Sequence, residues 1–230
     1  DDMDVPQTME HGYVSDQSDF EQVIWELEHK EADKPLFLFN VTIQNHGSYT
    51  VEDYPTEVTV ADEPGKYPMA EQYLTLANKS DQAFRTLIEY LSQLDEPTIL
   101  VMFGDHQPSV EQEFLDKAYG VTQEQMTMEQ YMGKYPEEVP QVTSLNFLAL
   151  YVLRCAGLEG TAWDNFLWDV QEQLPAMTFV GYTDTSGHAY SHLEQNEYTG
   201  LIEQYRQVQY NNLFGGRDRR EQYFSLRAGQ

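Results

Sequence analysis

Leu36-Phe37-Leu38-Phe39-Asn40-Val41-Thr42-Ile43 is a continuous apolar and β-branched run, introduced by Pro35 and closed by Gln44-Asn45-His46-Gly47-Ser48-Tyr49. A strand buried on both faces reads this way, because both sides of its pleat meet apolar neighbours. A second run of the same kind, Pro97-Thr98-Ile99-Leu100-Val101-Met102-Phe103, leads into Gly104-Asp105-His106-Gln107-Pro108. Between the two lies a polar loop with Pro55, Pro64 and Pro68. After it comes a segment from about Ala70 to Leu94 with Leu74, Ala77, Phe84, Leu87, Ile88 and Leu91 at helical spacing. Strand, long helix, strand is the pattern of a parallel βαβ unit. The predicted fold is therefore α/β, a mainly parallel sheet flanked by helices, with Leu36–Ile43 and Ile99–Phe103 as neighbouring parallel strands.

Upstream, Ser15-Asp16-Gln17-Ser18-Asp19 offers N-cap residues for a helix with Phe20, Val23, Ile24 and Leu27 on one face. Downstream, helices are expected at about Val110–Tyr119, Ser144–Gly157, Trp163–Leu174 and Glu194–Leu213, the last with Leu201, Ile202, Tyr205 and Val208 inward. The Gly215-Gly216-Arg217-Asp218-Arg219-Arg220 stretch breaks the pattern. No repeat, low-complexity tract or linker divides residues 1–230, which read as one domain.

With 230 residues, 40% hydrophobic and 13% aromatic, the chain is long and apolar enough to build a core. A net charge of -26 repels phosphate-rich nucleic acid, so a nucleic-acid-binding role is excluded. Cys155 is the single cysteine, which rules out an internal disulfide. Its place in an apolar helical run predicts a small buried core residue. No apolar run approaches the length of a membrane span, and no signal peptide opens the chain. It begins Asp1-Asp2-Met3-Asp4, as a segment of something longer would.

In parallel sheets, ligands gather at the carboxyl ends of the strands, and His46 and Asp105-His106 both fall at that edge. A carboxylate and an imidazole, adjacent where Gly104 permits a sharp turn, can reach one divalent ion. Mixed oxygen and nitrogen donors suit Mn²⁺ or Zn²⁺ better than Mg²⁺ or Ca²⁺. Such an ion stabilises charge on a transferring phosphoryl or sulfuryl group. Equally, Asp105 and His106 alone read as an Asx-type turn after a strand. His46 reads as a solvated loop histidine or as a hydrogen-bond donor to a phosphate oxygen. His29 reads as a surface helix residue, and His11, His188 and His192 as structural or exposed.

Asn40-Val41-Thr42-Ile43-Gln44-Asn45-His46-Gly47-Ser48-Tyr49 resembles a segment of the lipoteichoic acid synthase family, within the sulfatase and alkaline phosphatase superfamily. Ala70-Glu71-Gln72-Tyr73-Leu74 with Ser80-Asp81-Gln82-Ala83-Phe84 does so too. Phe103-Gly104-Asp105-His106-Gln107-Pro108-Ser109-Val110-Glu111 looks like that family's second metal-ligand motif. Thr143-Ser144-Leu145-Asn146-Phe147-Leu148-Ala149 and Val208-Gln209-Tyr210-Asn211-Asn212-Leu213-Phe214-Gly215 match its C-terminal region. The resemblance is collinear along nearly the whole chain.

The resemblance implies an enzyme domain on the extracellular face of a bacterial cell membrane, anchored by N-terminal transmembrane helices. A threonine nucleophile there takes glycerol phosphate from phosphatidylglycerol and passes it to a polymer or glycolipid acceptor. An early glutamate, that threonine and a later Asp-His pair hold Mn²⁺. By position, Asp105 and His106 look like the pair, and His46 looks like the histidine on the substrate phosphate. Asp81 is expected to make a structural hydrogen bond. No catalytic nucleophile is assigned within the chain: the resemblance places the family's threonine and early glutamate upstream of residue 1, Thr8 lacks the family context, and Thr42 lies within the expected strand before His46. The passage Met132-Gly133-Lys134-Tyr135-Pro136 is also shorter than the family pattern by about a dozen residues, the length of a strand and its turn. On the same scaffold, a sulfatase, a phosphodiesterase or a non-catalytic binding domain are the alternative readings.

Overall fold

The computed structural model describes residues 3–52, 54–120, 122 and 143–226. The chain divides into two compact units, Asp1–Gln123 and Glu124–Gln230.

The first unit opens with a hairpin of β1 (Met9–Glu10) and β2 (Tyr13–Val14). Its two-residue turn, His11-Gly12, has positive φ at both positions (52° and 86°), as a type I′ turn requires. α1 (Asp16–His29) follows, with the Ser15 hydroxyl accepting from the Ser18 amide and Asp16 and Asp19 in the first turn, where the helix dipole favours negative charge. α1 packs on α2 (Pro68–Leu91), a helix of 24 residues and so about 36 Å long. Their contact is Phe20 on Ala83 and Leu87, bordered by Val23, Ile24, Phe84 and Leu91. Phe20, Val23, Ile24, Phe84, Leu87 and Leu91 are positions that the periodicity predicts, whereas Ile88, also expected inward, is exposed, and the buried Leu76 and Ala83 are not among the expected positions. α3 (Gln112–Tyr119) ends at Gly120 in the left-handed conformation. It is tied to the loop before α2 by Lys117 to Asp62 and Glu63, and by Glu113 to Lys66.

The expected parallel sheet is not formed among the described residues. Leu36–Ile43 and Ile99–Phe103 are neither helix nor strand, and the described sheets are short and antiparallel. Exposure in the first run still alternates with a period of two: Leu36 and Leu38 at 40% and 38%, against Phe37, Phe39 and Val41 at 84%, 71% and 71%. Leu36–Asn40 line a shallow depression with Asp19, Gln22, Val23 and Glu26 of α1, and every residue of the run is exposed. The sequence carries the side-chain pattern of a strand buried on two faces. A ladder, however, needs a neighbouring backbone to take its N–H and C=O groups, and here the flanking elements are helices.

The second unit contains a 3₁₀ turn (Leu145–Phe147) running into α4 (Leu148–Cys155), then α5 (Ala162–Gln173). Thr161 and Asp164 form a capping box at the start of α5. A three-stranded antiparallel sheet of β3 (Ala176–Met177), β4 (Gly181–Thr183) and β5 (Ala189–Ser191) precedes α6 (Thr199–Phe214). Phe147, Leu150, Leu167, Val170, Leu174, Tyr182, Ile202 and Tyr205 make its core. Ile202 and Tyr205 face inward as expected. Cys155 does not: it is exposed on the last turn of α4, contrary to the buried position its apolar context predicts. The shortened passage around Tyr135 lies outside the described residues. No described helix is long and apolar enough to cross a membrane.

Candidate functional site

α2 is the rod on which both candidate loops of the first unit are fixed. The donors of its first turn are fully accounted for. Pro68 has no N–H, the Met69 and Ala70 amides donate to the two Glu111 carboxylate oxygens at 2.8 and 2.9 Å, and the Glu71 amide donates to Tyr67 O at 2.9 Å. Glu111 is five positions beyond His106, so this cap pins the end of the Asp105-His106 loop to the start of α2.

The second loop is held at the helix midpoint, on Ser80 and the Leu76 carbonyl one turn before it. Gln44, buried, accepts from the Asp16 amide at 3.0 Å and donates to Ser80 Oγ at 3.1 Å and to Leu76 O at 3.2 Å. Asn45 donates to the same Ser80 hydroxyl at 2.8 Å, and Ser80 donates to Asp16 Oδ2 at 2.5 Å. Tyr49, buried, donates to Asn45 O at 2.7 Å. Burial pushes the Asp16 carboxyl above the usual carboxylate range, an effect opposed by the Ser80 hydrogen bond, reinforced by the Asp19 carboxylate, and opposed by the Gln44 backbone.

Between these anchors His46 is exposed. Its amide closes a turn on Ile43 O at 3.0 Å, and its Nδ1 lies 2.8 Å from Gly47 O and 3.3 Å from the Tyr13 hydroxyl. A carbonyl can only accept, so Nδ1 carries the proton and Nε2 is the free ring nitrogen. The Tyr13 ring stands edge-on to the imidazole at 5.5 Å.

Asp105 and His106 are also exposed, at 84% and 76% of their side chains. Asp105 Oδ1 accepts from the adjacent His106 amide at 2.9 Å, a bond one residue shorter than an Asx turn, and His106 Nδ1 donates to Gln107 O at 2.9 Å. The second bond leaves the Nε2 lone pair free, 3.6 Å from Asp105 Oδ2. The Gln107 carbonyl thus sets the tautomer that a metal ligand needs. A carboxylate oxygen and an imidazole nitrogen converging in this way fit two positions of a Mn²⁺ or Zn²⁺ shell. Among the described residues no group of three or more His, Cys, Asp or Glu could hold a metal. The two loops sense each other at Tyr49. Its hydroxyl is pushed above its ordinary value first by burial, then by Tyr73 and by the Asp105 carboxylate.

The remaining histidines fall elsewhere. His29 is exposed and stacks on Trp25 at 4.0 Å. His11 lies among Tyr13, Tyr49 and Tyr54, with Nε2 3.1 Å from Gln72 Oε1. His192 Nε2 is 2.6 Å from Thr178 O in the second unit. The Thr8 hydroxyl is engaged by Ser15 and Ser18 at 2.6 and 2.9 Å, and Thr42 is exposed. Asp81 is exposed, and the buried hydrogen bond expected of it belongs to its neighbour Ser80. Sequence reasoning did not single out Asp16, Gln44, Ser80 or Glu111. The signal that points to them is a polar residue on an otherwise apolar helix face, or one flanking a candidate ligand.

A putative cyclic beta-1,2-glucan modification protein of Rhizobium meliloti (strain 1021) is 26% identical over 238 aligned residues, which take in 94% of this chain and 36% of that protein. The capsular polysaccharide biosynthesis protein RkpI of the same organism is 32% identical over 96 residues, 42% of this chain and 16% of its own length. The chain thus spans little more than a third of the longer of these matches. No solved structure matches it. Residues 1–158, which carry His46, Asp105, His106 and the α2 rod, match the Sulfatase family, and the chain belongs to that family.

Proposed function

We propose that the chain is part of a metal-dependent phosphoglycerol transferase of the lipoteichoic acid synthase type. In this reading it takes glycerol phosphate from phosphatidylglycerol and delivers it to a hydroxyl of a polymer or glycolipid. The observation that carries the reading is the Asp105-His106 pair, with its free Nε2 and carboxylate converging, in a sulfatase-family chain whose His46 loop is tied to the helix that Glu111 caps. The two relatives are named for glucan modification and for capsular polysaccharide biosynthesis, which supports a polysaccharide hydroxyl as the acceptor.

In this reading Asp105 and His106 would hold Mn²⁺, with Zn²⁺ the alternative for the same donors and Mg²⁺ and Ca²⁺ less suited to the mixed set. The ion supplies electrostatic stabilisation of the transferring phosphoryl group. His46 Nε2, which becomes an N–H in the imidazolium, contacts a non-bridging phosphate oxygen, and Tyr13 and Gly47 fix the ring's orientation. The nucleophilic threonine and the early glutamate belong to sequence outside this chain, as does an N-terminal membrane anchor on the extracellular face. Across the full reaction the P–O bond to diacylglycerol breaks, a P–O bond to the acceptor forms, and the acceptor's hydroxyl proton ends on diacylglycerol.

The test is made on the full-length protein. Diacylglycerol release from a fluorescent phosphatidylglycerol analogue is measured with and without Mn²⁺, alone and with a β-1,2-glucan acceptor. Metal-dependent release supports the reading. Hydrolysis of 4-nitrophenyl sulfate without phospholipid turnover replaces it with the sulfatase reading, with which the family match is equally compatible.

A further inference from the structure

We infer that Ser80, with Asp16 behind it, is a positioning residue that sets the place of His46. A hydroxyl has one proton to donate and two lone pairs to accept with, and Ser80 uses all three. It donates to Asp16 Oδ2 at 2.5 Å and accepts from Gln44 at 3.1 Å and Asn45 at 2.8 Å. Gln44 closes the ring by accepting from the Asp16 amide at 3.0 Å, one of the otherwise unpaired donors at the start of α1. Four side chains from the start of α1, the His46 loop and the middle of α2 therefore form one closed circuit.

His46 is the next residue in the chain. Gln44 and Asn45 before it are both held by Ser80, and Tyr49 after it is buried and bonded to Asn45 O at 2.7 Å. The imidazole itself stays exposed. A rigid support beneath an accessible ring is what a catalytic contact needs, since small displacements of a positioned group are felt in rate. The circuit continues the α1–α2 contact face, since Ser80 precedes Ala83 and Leu87 at i, i+3, i+7 and Asp16 precedes Phe20 at i, i+4, so each variant is checked for its fold before its rate is read.

This role rests on the reading of His46 as a phosphate contact, and the experiment separates the two. kcat/KM is measured for the full-length protein, Ser80→Ala, His46→Ala and the double variant, on the phosphatidylglycerol analogue and on 4-nitrophenyl sulfate. A protein that turns over only the sulfate ester still tests Ser80. Ser80→Ala is expected to lower kcat/KM about 10- to 100-fold, and His46→Ala at least as much. In the His46→Ala background the Ser80 substitution should then cost no more than about twofold, because residues acting through one group are not additive. Two losses that multiply in full overturn the positioning role and leave His46 standing. A wild-type rate for Ser80→Ala also overturns it. A wild-type rate for His46→Ala overturns both. If Ser80→Ala is not recovered folded, Asn45→Ala, which removes one half-exposed donor to the same hydroxyl, is carried through the same cycle and judged by the same outcomes.

Discussion

Replacing Glu111 by alanine should unlock the first turn of α2 and, with it, the Asp105-His106 loop. Tyr67 at the N-cap position offers no side-chain hydrogen bond, so the Glu111 carboxylate is the acceptor for the Met69 and Ala70 amides. Ala70 is fully buried, so its N–H has no access to water once the carboxylate is gone. A lost cap costs about 1 kcal/mol, and an unsatisfied buried donor about 1–3 kcal/mol. Met69 is half-buried and partly rehydrates, which places the sum at about 2–3 kcal/mol. At about 1.4 kcal/mol per factor of ten, amides that exchange through opening of this turn should exchange roughly 30- to 150-fold faster. Hydrogen–deuterium exchange of peptides covering residues 66–76 reads this directly, with peptides from α1 as the internal control. Glu111→Gln keeps one carbonyl acceptor but no charge, and should fall near the geometric middle. Exchange in Glu111→Ala within about twofold of wild type would refute the reasoning, since it would show that water or another side chain caps α2 equally well.

In the full-length protein, Asp105→Ala and His106→Ala should each lower bound Mn²⁺, measured by plasma mass spectrometry after desalting, and lower turnover by about 100-fold or more; normal occupancy in both variants refutes the ligand assignment. Burial raises the Asp16 carboxyl, so the folded protein loses stability from this group as pH climbs from the ordinary Asp value through the raised one. Asp16→Asn lacks that loss, so urea midpoints should shift in the variant's favour with rising pH, and a pH-independent difference refutes it. Lys117, Lys66 and Tyr67 hold Glu63 down to about 2, so its favourable contribution is present above the ordinary Glu value and fades as pH falls towards 2. Protection of α3 amides should weaken over that acidic range while α1 is unaffected, although screening at this exposed site keeps the effect small. The isolated chain exposes Phe37, Phe39 and Val41 along one side of a single run, so light scattering should rise with concentration and Phe39→Lys should suppress it; equal scattering by both refutes that source of association.

The helices were readable because their apolar positions recur at 3.6 residues whatever the partner. Phe20, Val23 and Ile24 meet Phe84, Leu87 and Leu91 as the periodicity implies. The same reading passed over Glu71, Gln72, Thr75 and Ser80, all buried on α2. Hydrophobic periodicity treats them as solvent-facing. What buries them are partners far away in sequence: Gln44 for Ser80, Val60 and Gly65 for Glu71, Val51 for Gln72. The β1–β2 turn was missed for a different reason. Its signal is a two-residue turn containing Gly12, and the flanking strands of two residues each are too short to alternate visibly. Cys155 shows the converse error: an apolar run of eight helical residues still has an outward side, and the last turn of α4 is on it.

Leu36–Ile43 and Ile99–Phe103 expose a separation between what positions the candidate site and what the sequence says should surround it. Each run ends at a candidate residue, and each was expected to deliver that residue through a sheet. Neither run is in a ladder, yet Asp105 is still within electrostatic reach of Tyr49, which is bonded to Asn45 beside His46. The two fixings to α2 suffice for that: the Glu111 cap at Met69 and Ala70, and the Ser80 hub about ten residues, or roughly 15 Å, further along. Both fixings are polar, and both use helix geometry rather than strand register. The apolar strand pattern therefore constrains something other than the placement of these two loops. Its period-two exposure leaves Phe37, Phe39 and Val41 the more bare, the alternation of an extended run without a ladder. Substitutions on the bare side should accordingly alter association and solubility, whereas substitutions at Ser80 and Glu111 should alter the geometry of the candidate site.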